Sequence, residues 1–332
     1  MNDLQIVVLK ILAMFLVMAL GWFARWKGYL SENIGQTMSK LLVDLIFPAL
    51  VFTQMLKTIN LQVMCEGWYL PFLGIGIMVI AEIVGLVTFP LFSGKARRNT
   101  AIFLIAMPNW IYLPLPIVEG LFGAAGVRDI LLYNVGFQVA LWTIGIWTLR
   151  SAMPDIKSLK MLFLNPGLLA TAAGVVLAIV FPVGKIINAD HPAGIFSIGL
   201  LVSAGFQALD MIGSLTIPLS LLITGVHLGG LKMTDYLPTR KLTGVLVGRL
   251  ILAPIVTVLV FETCSMFGLV IGEVSRLTGY LIAAMPVAIS CSIVTERFSG
   301  ETDLAAKSIF YSTLLSIVTV PVFYFLVRYF NF

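Results

Sequence analysis

Charge is what this chain has least of. Asp, Glu, Lys and Arg make up 11% of its 332 residues, against roughly 25% in soluble domains, too few to coat a solvated globule of this length. Cysteine is rarer still: Cys65, Cys264 and Cys291 have no paired spacing, and the last two lie inside apolar segments. A disulfide framework is excluded. Of the two histidines, His191 stands in a loop and His227 near the end of an apolar segment, so neither builds a metal site. No His-Glu-x-x-His motif or catalytic dyad occurs, and Gly123 and Gly126 lack both a preceding strand and a following Lys-Ser or Lys-Thr. Zinc-hydrolase and nucleotide-loop chemistry have no foothold. The chain is expected not to be an enzyme and to use no cofactor or metal.

Apolar length is what it has most of. Hydrophobic residues reach 59% and the mean hydropathy is +1.02. About 20 apolar residues cross a hydrocarbon core of about 30 Å, and ten spans can be drawn: 4–24, 36–56, 68–92, 100–121, 128–149, 166–187, 203–229, 242–267, 277–297 and 303–328. The expected fold is an all-α membrane protein. Arg25 and Lys27 follow the first apolar run instead of preceding it, the reverse of a signal peptide. It reads as a retained span. Pro192 to Gly230 is too long for one straight crossing. Either 193–209 crosses separately, or it is a surface segment feeding span seven. A separate crossing would put Lys232, Arg240 and Lys241 outside, against the distribution of positive charge, so ten spans are taken.

Positive charge alternates from gap to gap. Fourteen of the 21 Lys and Arg fall in every second gap: Arg25, Lys27 and Lys40; Lys95, Arg97 and Arg98; Arg150, Lys157 and Lys160; Lys232, Arg240 and Lys241; Arg297 and Lys307. The other gaps and the C-terminus hold Lys57, Arg128, Lys185, Arg276 and Arg328. Cytoplasmic loops retain Lys and Arg. Both termini are therefore expected outside a bacterial cytoplasmic (inner) membrane. The net charge of +5 and the pI near 9.1 then reflect loops meeting anionic membrane lipid, with no nucleic acid as partner. Trp22, Trp26, Trp68 and Tyr69 stand near span ends as interfacial anchors do. Gly225 and Gly229 make a small-xxx-small pair suited to packing helices.

The halves echo each other. Asp44-Leu-Ile-Phe-Pro48 in span two aligns with Ser214-Leu-Thr-Ile-Pro218 in span seven. Phe103-Leu-Ile-Ala-Met-Pro108 aligns with Tyr280-Leu-Ile-Ala-Ala-Met-Pro286, and Glu119 to Gly123 with Glu296 to Gly300. Five spans per half is an odd number, so the second half enters the membrane upside down. Two inverted five-helix repeats, 1–149 and 166–332, are expected around a cytoplasmic linker at 150–165. Secondary transporters recurrently use this plan, with the substrate site at the repeat interface near mid-membrane.

Span four carries Pro108, Pro114 and Pro116 within nine positions. No continuous helix accommodates all three, because each removes a donor and clashes with the preceding turn. Span nine has a comparable break at Met285-Pro-Val-Ala-Ile-Ser-Cys-Ser292, rich in small polar side chains. Backbone broken at membrane depth must be satisfied by protein or water, and half-helix ends there can hold an ion.

Pro108-Asn109 followed by Pro116 resembles the fourth-span signature of the auxin efflux carrier family, which includes plant PIN carriers and bacterial malonate and malate carriers. Pro114 stands where the family has glycine. Pro48 in Phe-Pro-Ala-Leu, Asn165-Pro166 opening span six, Gln138 with Trp142, and Ala284-Met-Pro286 through Phe298 match the family in order. Cys291 stands where PIN proteins have a second proline. The resemblance implies a bacterial PIN-like carrier with extracellular termini and broken helices four and nine crossing, an arrangement shared with sodium/proton antiporters and bile-acid symporters. Spans one, two, six and seven would be a scaffold and the rest a moving transport domain.

These readings converge on a secondary transporter of small organic anions (carboxylates) working by elevator-type alternating access. Asn109 and Tyr112 would bind the carboxylate, with backbone amides near Pro114 and Pro116. Ser290, Cys291 and Ser292, after Pro286, would face it from span nine, and Asn134 and Gln138 from span five. Lys10, Asp44, Glu82, Arg249 and Glu262 fall inside apolar segments, where a charge costs about 3 kcal/mol unless paired or hydrated. Asp44, Glu82 and Arg249 are the candidates for proton or ion coupling or for attracting an anion. The alternative is a sodium-coupled carrier of the bile-acid symporter or sodium/proton antiporter type. A homodimer is left open.

The charge alternation predicts an outcome for impermeant thiol labelling of single cysteines in intact cells. Positions beside Met1 and Phe332 label from outside, and the Lys95–Arg98 and Arg150–Lys160 loops do not. Labelling of the Arg150–Lys160 loop from outside overturns the topology.

Overall fold

The computed structural model describes residues 3–92, 98–150, 164–180, 198–230, 239–298 and 300–330. The expected linker at 150–165 lies almost wholly outside the described residues, as do Lys95, Arg97, Lys185, His191 and Lys232.

Among the described residues the secondary structure is helical, with one isolated bridge between Pro108 and Val287. Seven stretches among the described residues are long and apolar enough to cross a membrane: Val8–Trp26, Asn33–Thr58, Leu61–Pro90, Pro114–Arg150, Gly199–Gly229, Arg240–Met266 and Thr302–Tyr329. Pro166–Val180 is a shorter apolar helix. Expected spans four and nine are in pieces. The first is α6 (Arg98–Ala106) followed by the start of α7 (Pro114–Ala140). The second is α14 (Glu273–Ala284) followed by α15 (Ser290–Arg297). Helix α7 also runs through the expected gap at 122–127, but it is not one rod. Gly123, at φ 57° and ψ −143°, turns the chain there, a conformation that a side chain disfavours.

The other helices are α1 (Asp3–Trp26), α2 (Glu32–Leu41), α3 (Phe47–Thr58), α4 (Leu61–Gly67), α5 (Leu70–Phe92) and α8 (Ile146–Arg150). Then come α9 (Pro166–Val180), α10 (Ile198–Ser214), α11 (Thr216–Gly229), α12 (Arg240–Val247), α13 (Ala253–Met266) and α16 (Thr302–Tyr329). Wide π turns at Leu42–Ile46 and Gly248–Leu252 join α2 to α3 and α12 to α13. Each stands just ahead of a proline, Pro48 or Pro254, whose missing N–H leaves a carbonyl unpaired one turn back. The residue before each proline, Phe47 or Ala253, donates its N–H five residues back, to Leu42 O or Gly248 O; a third π turn, Leu141–Gly145, joins α7 to α8 with no proline just after it. Pro218 acts similarly: α10 ends at Ser214, four residues before it, and the chain turns at Leu215 into α11.

Helix contacts divide the chain into two compact units. The first comprises Met1–Leu16, Leu70–Lys160 and Gly230–Phe332; the second comprises Val17–Tyr69 and Met161–Gly229. In the second, α1 and α11 touch backbone to backbone. A Cβ on Gly225 would fall 1.9 Å from Met18 O, so only glycine permits this approach. The small-xxx-small pair therefore serves packing within the chain.

Candidate functional site

Pro108 and Pro286 interrupt their helices in the same way. Proline cannot donate to the carbonyl four residues earlier, so α6 ends at Ala106 and α14 at Ala284. Beyond these ends the two chains pass antiparallel. Asn109 N donates to Pro286 O at 2.7 Å, and Ala288 N donates to Met107 O at 3.0 Å. Val287 N donates to Ser312 Oγ on α16 at 3.0 Å.

These detours strand two more carbonyls. In uninterrupted helices Asn109 N would serve Ile105 O, and Val287 N would serve Ala283 O. Arg249 takes both. Its Nη1 donates to Ile105 O at 2.7 Å and its Nη2 donates to Ala283 O. The side chain is fully buried in the π turn Gly248–Leu252, and its planar fork suits two fixed acceptors. Arg249 was expected to attract an anion or couple an ion. The structure shows its two terminal nitrogens bonded to main-chain carbonyls, with Nε buried and unpartnered among the described residues.

The predicted binding residues gather around the first break. Asn109 is buried, and its Oδ1 accepts from Tyr112 N at 3.2 Å, a local turn that leads into α7. Its nitrogen is then the end left to offer two donors. Trp110 Nε1 donates to Asn134 Oδ1 at 2.9 Å while its ring stacks on Phe137 at a centroid distance of 5.2 Å. Asn134 is wholly buried, and its Nδ2 has no partner among the described residues. Gln138 lies one turn further along α7, half-buried like Tyr112. Pro114 and Pro116 are buried in the first turn of α7, where an absent N–H removes no helical bond. At the second break Pro286 and Cys291 are buried and Ser290 is half-buried. The side chain of Ser292 falls outside the described ones.

The carboxylate candidates are not part of this bonded group. Thr148 Oγ1 donates to Glu82 Oε1, and Oε2 is buried without a partner among the described residues. Asp44 is exposed on the π turn Leu42–Ile46 of the second unit. Glu262 is matched structurally, its Oε1 accepting from Arg276 at 3.1 Å and from Tyr280 at 2.6 Å.

Sequence reasoning missed several partners. Trp110 and Ser312 were not singled out, although both carry a bond at the breaks. Asp129 was passed over beside Arg128, which was assigned to a gap. It is wholly buried, paired with Arg128 at 2.7 Å and accepting from Ser275 Oγ at 2.6 Å, while Tyr133 OH donates to Ser275 O at 3.0 Å. The adjacent Arg-Asp pair just inside an apolar segment was the available signal.

The geometry is that of a helical membrane protein in which two broken helices meet at their breaks. The family described as "Membrane transport protein" matches residues 6–157 and 155–324. The chain belongs to this family, the auxin efflux carrier family. It is 22% identical over 319 residues to an "Uncharacterized transporter" of Methanothermobacter thermautotrophicus, covering 94% of this chain and 95% of that protein. It is also 21% identical over 323 residues to an "Uncharacterized transporter" of Methanocaldococcus jannaschii, covering 93% and 95%. The protein is a membrane transporter by family.

Ser312 and Ser308 allow a test of the second break. Ser312→Ala strands Val287 N and lowers stability by about 1–3 kcal/mol, the usual cost of a buried unsatisfied group. Ser308 is equally buried, but its Oγ has no partner among the described residues, so Ser308→Ala is neutral or stabilising. Thermal unfolding of the two variants in detergent checks this; equal melting shifts would refute the assigned bond.

Proposed function

We propose that this protein is a secondary carrier of small organic anions, carboxylates, across the cytoplasmic membrane. Its ten spans form two inverted five-helix repeats, 1–149 and 166–332, joined by a cytoplasmic linker at 150–165. Transport proceeds by elevator-type alternating access, with the unit that holds the crossing as the moving part. The observation carrying this reading is the pair of amides at the first break. Asn109 and Asn134 both give their oxygens to the protein, so what each has left for a cargo is its N–H₂ end. A carboxylate offers only acceptors and fits donors of this kind. Tyr112, Gln138, Ser290, Cys291 and Ser292 complete the binding surface, with Pro114, Pro116 and Pro286 holding the breaks open. Further support comes from the second compact unit, which gathers spans two and seven, the described part of span six and the part of span one from Val17 onward; the family resemblance assigns these four spans to a scaffold.

Purified protein is screened against mono- and dicarboxylates and indole acetate, each with and without sodium. Binding of at least one carboxylate is expected, and a strict sodium requirement would move the reading to a sodium-coupled symporter. Asn109→Asp then separates ligand contact from support of the turn. It keeps an acceptor for Tyr112 N and replaces the donor end with a negative oxygen. Affinity falls on the order of tenfold to a hundredfold, the value of a hydrogen bond to a charged group, while the melting temperature holds. Wild-type affinity in that variant would remove Asn109 from the site.

Glu82 is the proposed carrier of a coupling proton, because a carboxylate oxygen buried without a donor is the natural place to hold one. Glu82→Gln keeps an acceptor for Thr148 and cannot titrate. It flattens the pH dependence of uptake into proteoliposomes without preventing binding. An unchanged pH profile makes Glu82 structural and leaves coupling to Asp44 or to no proton at all.

A further inference from the structure

The crossing brings four helix ends together: the C-termini of α6 and α14 and the N-termini of α7 and α15. A helix end carries about half an elementary charge, negative at the C-terminus and positive at the N-terminus. Left alone the four ends would nearly cancel, and the crossing would prefer neither sign of cargo. They are not left alone. Neither α6 nor α14 has a basic residue in its last turn. Their ends are instead met from outside by the guanidinium of Arg249, bonded to Ile105 O and Ala283 O together. At the other two ends, neither α7 nor α15 has an acidic residue in its first turn, and the described main-chain N–H bonds of the crossing segments go to no carboxylate. The Nδ2 of wholly buried Asn134, without a partner among the described residues and held to the break through Trp110, adds a donor and no charge.

The geometry points to Arg249 as the residue that sets the sign of the cargo's charge. It neutralises both C-terminal ends at once and leaves the crossing with two uncompensated N-terminal ends, so an anion is bound and a cation excluded. Arg249 does so without touching the cargo, because its terminal nitrogens are engaged with the main chain. It is a positioning and charge-balancing residue. This inference rests on the reading that the crossing binds the carboxylate.

The test compares charge with structure. Malonate, succinate and glutarate, each against its monoamide, are titrated into wild type, Arg249→Gln and Arg249→Lys. Arg249→Gln retains a side-chain donor and loses the charge, and it weakens the dianion on the order of tenfold more than the monoamide. Arg249→Lys retains the charge and the wild-type ratio of dianion to monoamide affinity, even where its melting temperature falls. A merely structural role would weaken both ligands by the same factor, and that result in Arg249→Gln overturns the inference while leaving the carrier reading intact. Should Arg249→Gln fail to fold, the neutral Arg249→Met is titrated in its place with the same two outcomes, and in Arg249→Lys a collapsed ratio with the charge present overturns the inference. Wild type that binds none of these acids nor any other carboxylate overturns the underlying reading itself.

Discussion

A backbone amide or carbonyl inside a membrane must find its partner within the protein, and each failure costs several kcal/mol. The rest of the crossing results from that constraint acting on two prolines. Pro108 and Pro286 each end a helix. Asn109 N and Ala288 N are then free to bond the opposite strand, and Val287 N finds Ser312. That rearrangement abandons Ile105 O and Ala283 O, and a residue distant in sequence must supply two donors at once. Arginine has the donors, the reach and the planarity to do so. Its burial is a consequence of the breaks, since the acceptors it serves exist only because the helices stop.

Not every proline in the chain breaks its helix. Pro90 and Pro321 lie within α5 and α16, and Pro48 and Pro254 stand just beyond the π turns Leu42–Ile46 and Gly248–Leu252 in chain that stays helical. The first break owes its length to a second proline downstream. After Pro108 the helix resumes only at Pro114, itself suited to a first turn. At the second break no further proline intervenes, and α15 begins sooner, at Ser290. The longer gap also carries the amide: Asn109 occupies the position matched by Val287 in the second break, where an apolar side chain cannot bond a cargo. Similar breaks thus have different chemistry.

Apolar runs and proline clusters are local, and they were readable. The two breaks and the piecewise character of spans four and nine arise from residues adjacent in the chain, whereas the bend before Pro218 lies inside the expected span 203–229, which was drawn unbroken. The end of span four was also expected, at 121, though not the positive φ of Gly123 that turns the chain two residues later without a connecting loop. Partners were not readable. Arg249 was expected to meet an acid or an anion, as a buried cation usually does, and it meets carbonyls that no residue type announces. Ser312 and Trp110 have the same history, since their importance lies in which orphaned group they reach. Asp129 was hidden because its own neighbour Arg128 made the segment look like a gap between spans.

The completeness of the main-chain bonding limits how a cargo can be recognised. Pro286 O, Met107 O, Ile105 O and Ala283 O already accept, and Asn109 N, Val287 N and Ala288 N already donate, all to protein partners. A ligand that drew on any of these three N–H groups, each a single donor, would have to undo the bridge that holds the crossing. On the proposed reading, direct contact then falls to side chains that decorate the bridge, the amide ends of Asn109 and Asn134 and the half-buried Tyr112, Gln138 and Ser290, with the helix N-terminal ends supplying the field. Such a division suits a carrier. If the cargo is the proposed carboxylate, side chains can gain and lose it each cycle at the scale of one or two hydrogen bonds to a charge, about 1.5–3 kcal/mol apiece. The backbone bridge is left intact, so the site keeps its shape whether loaded or empty.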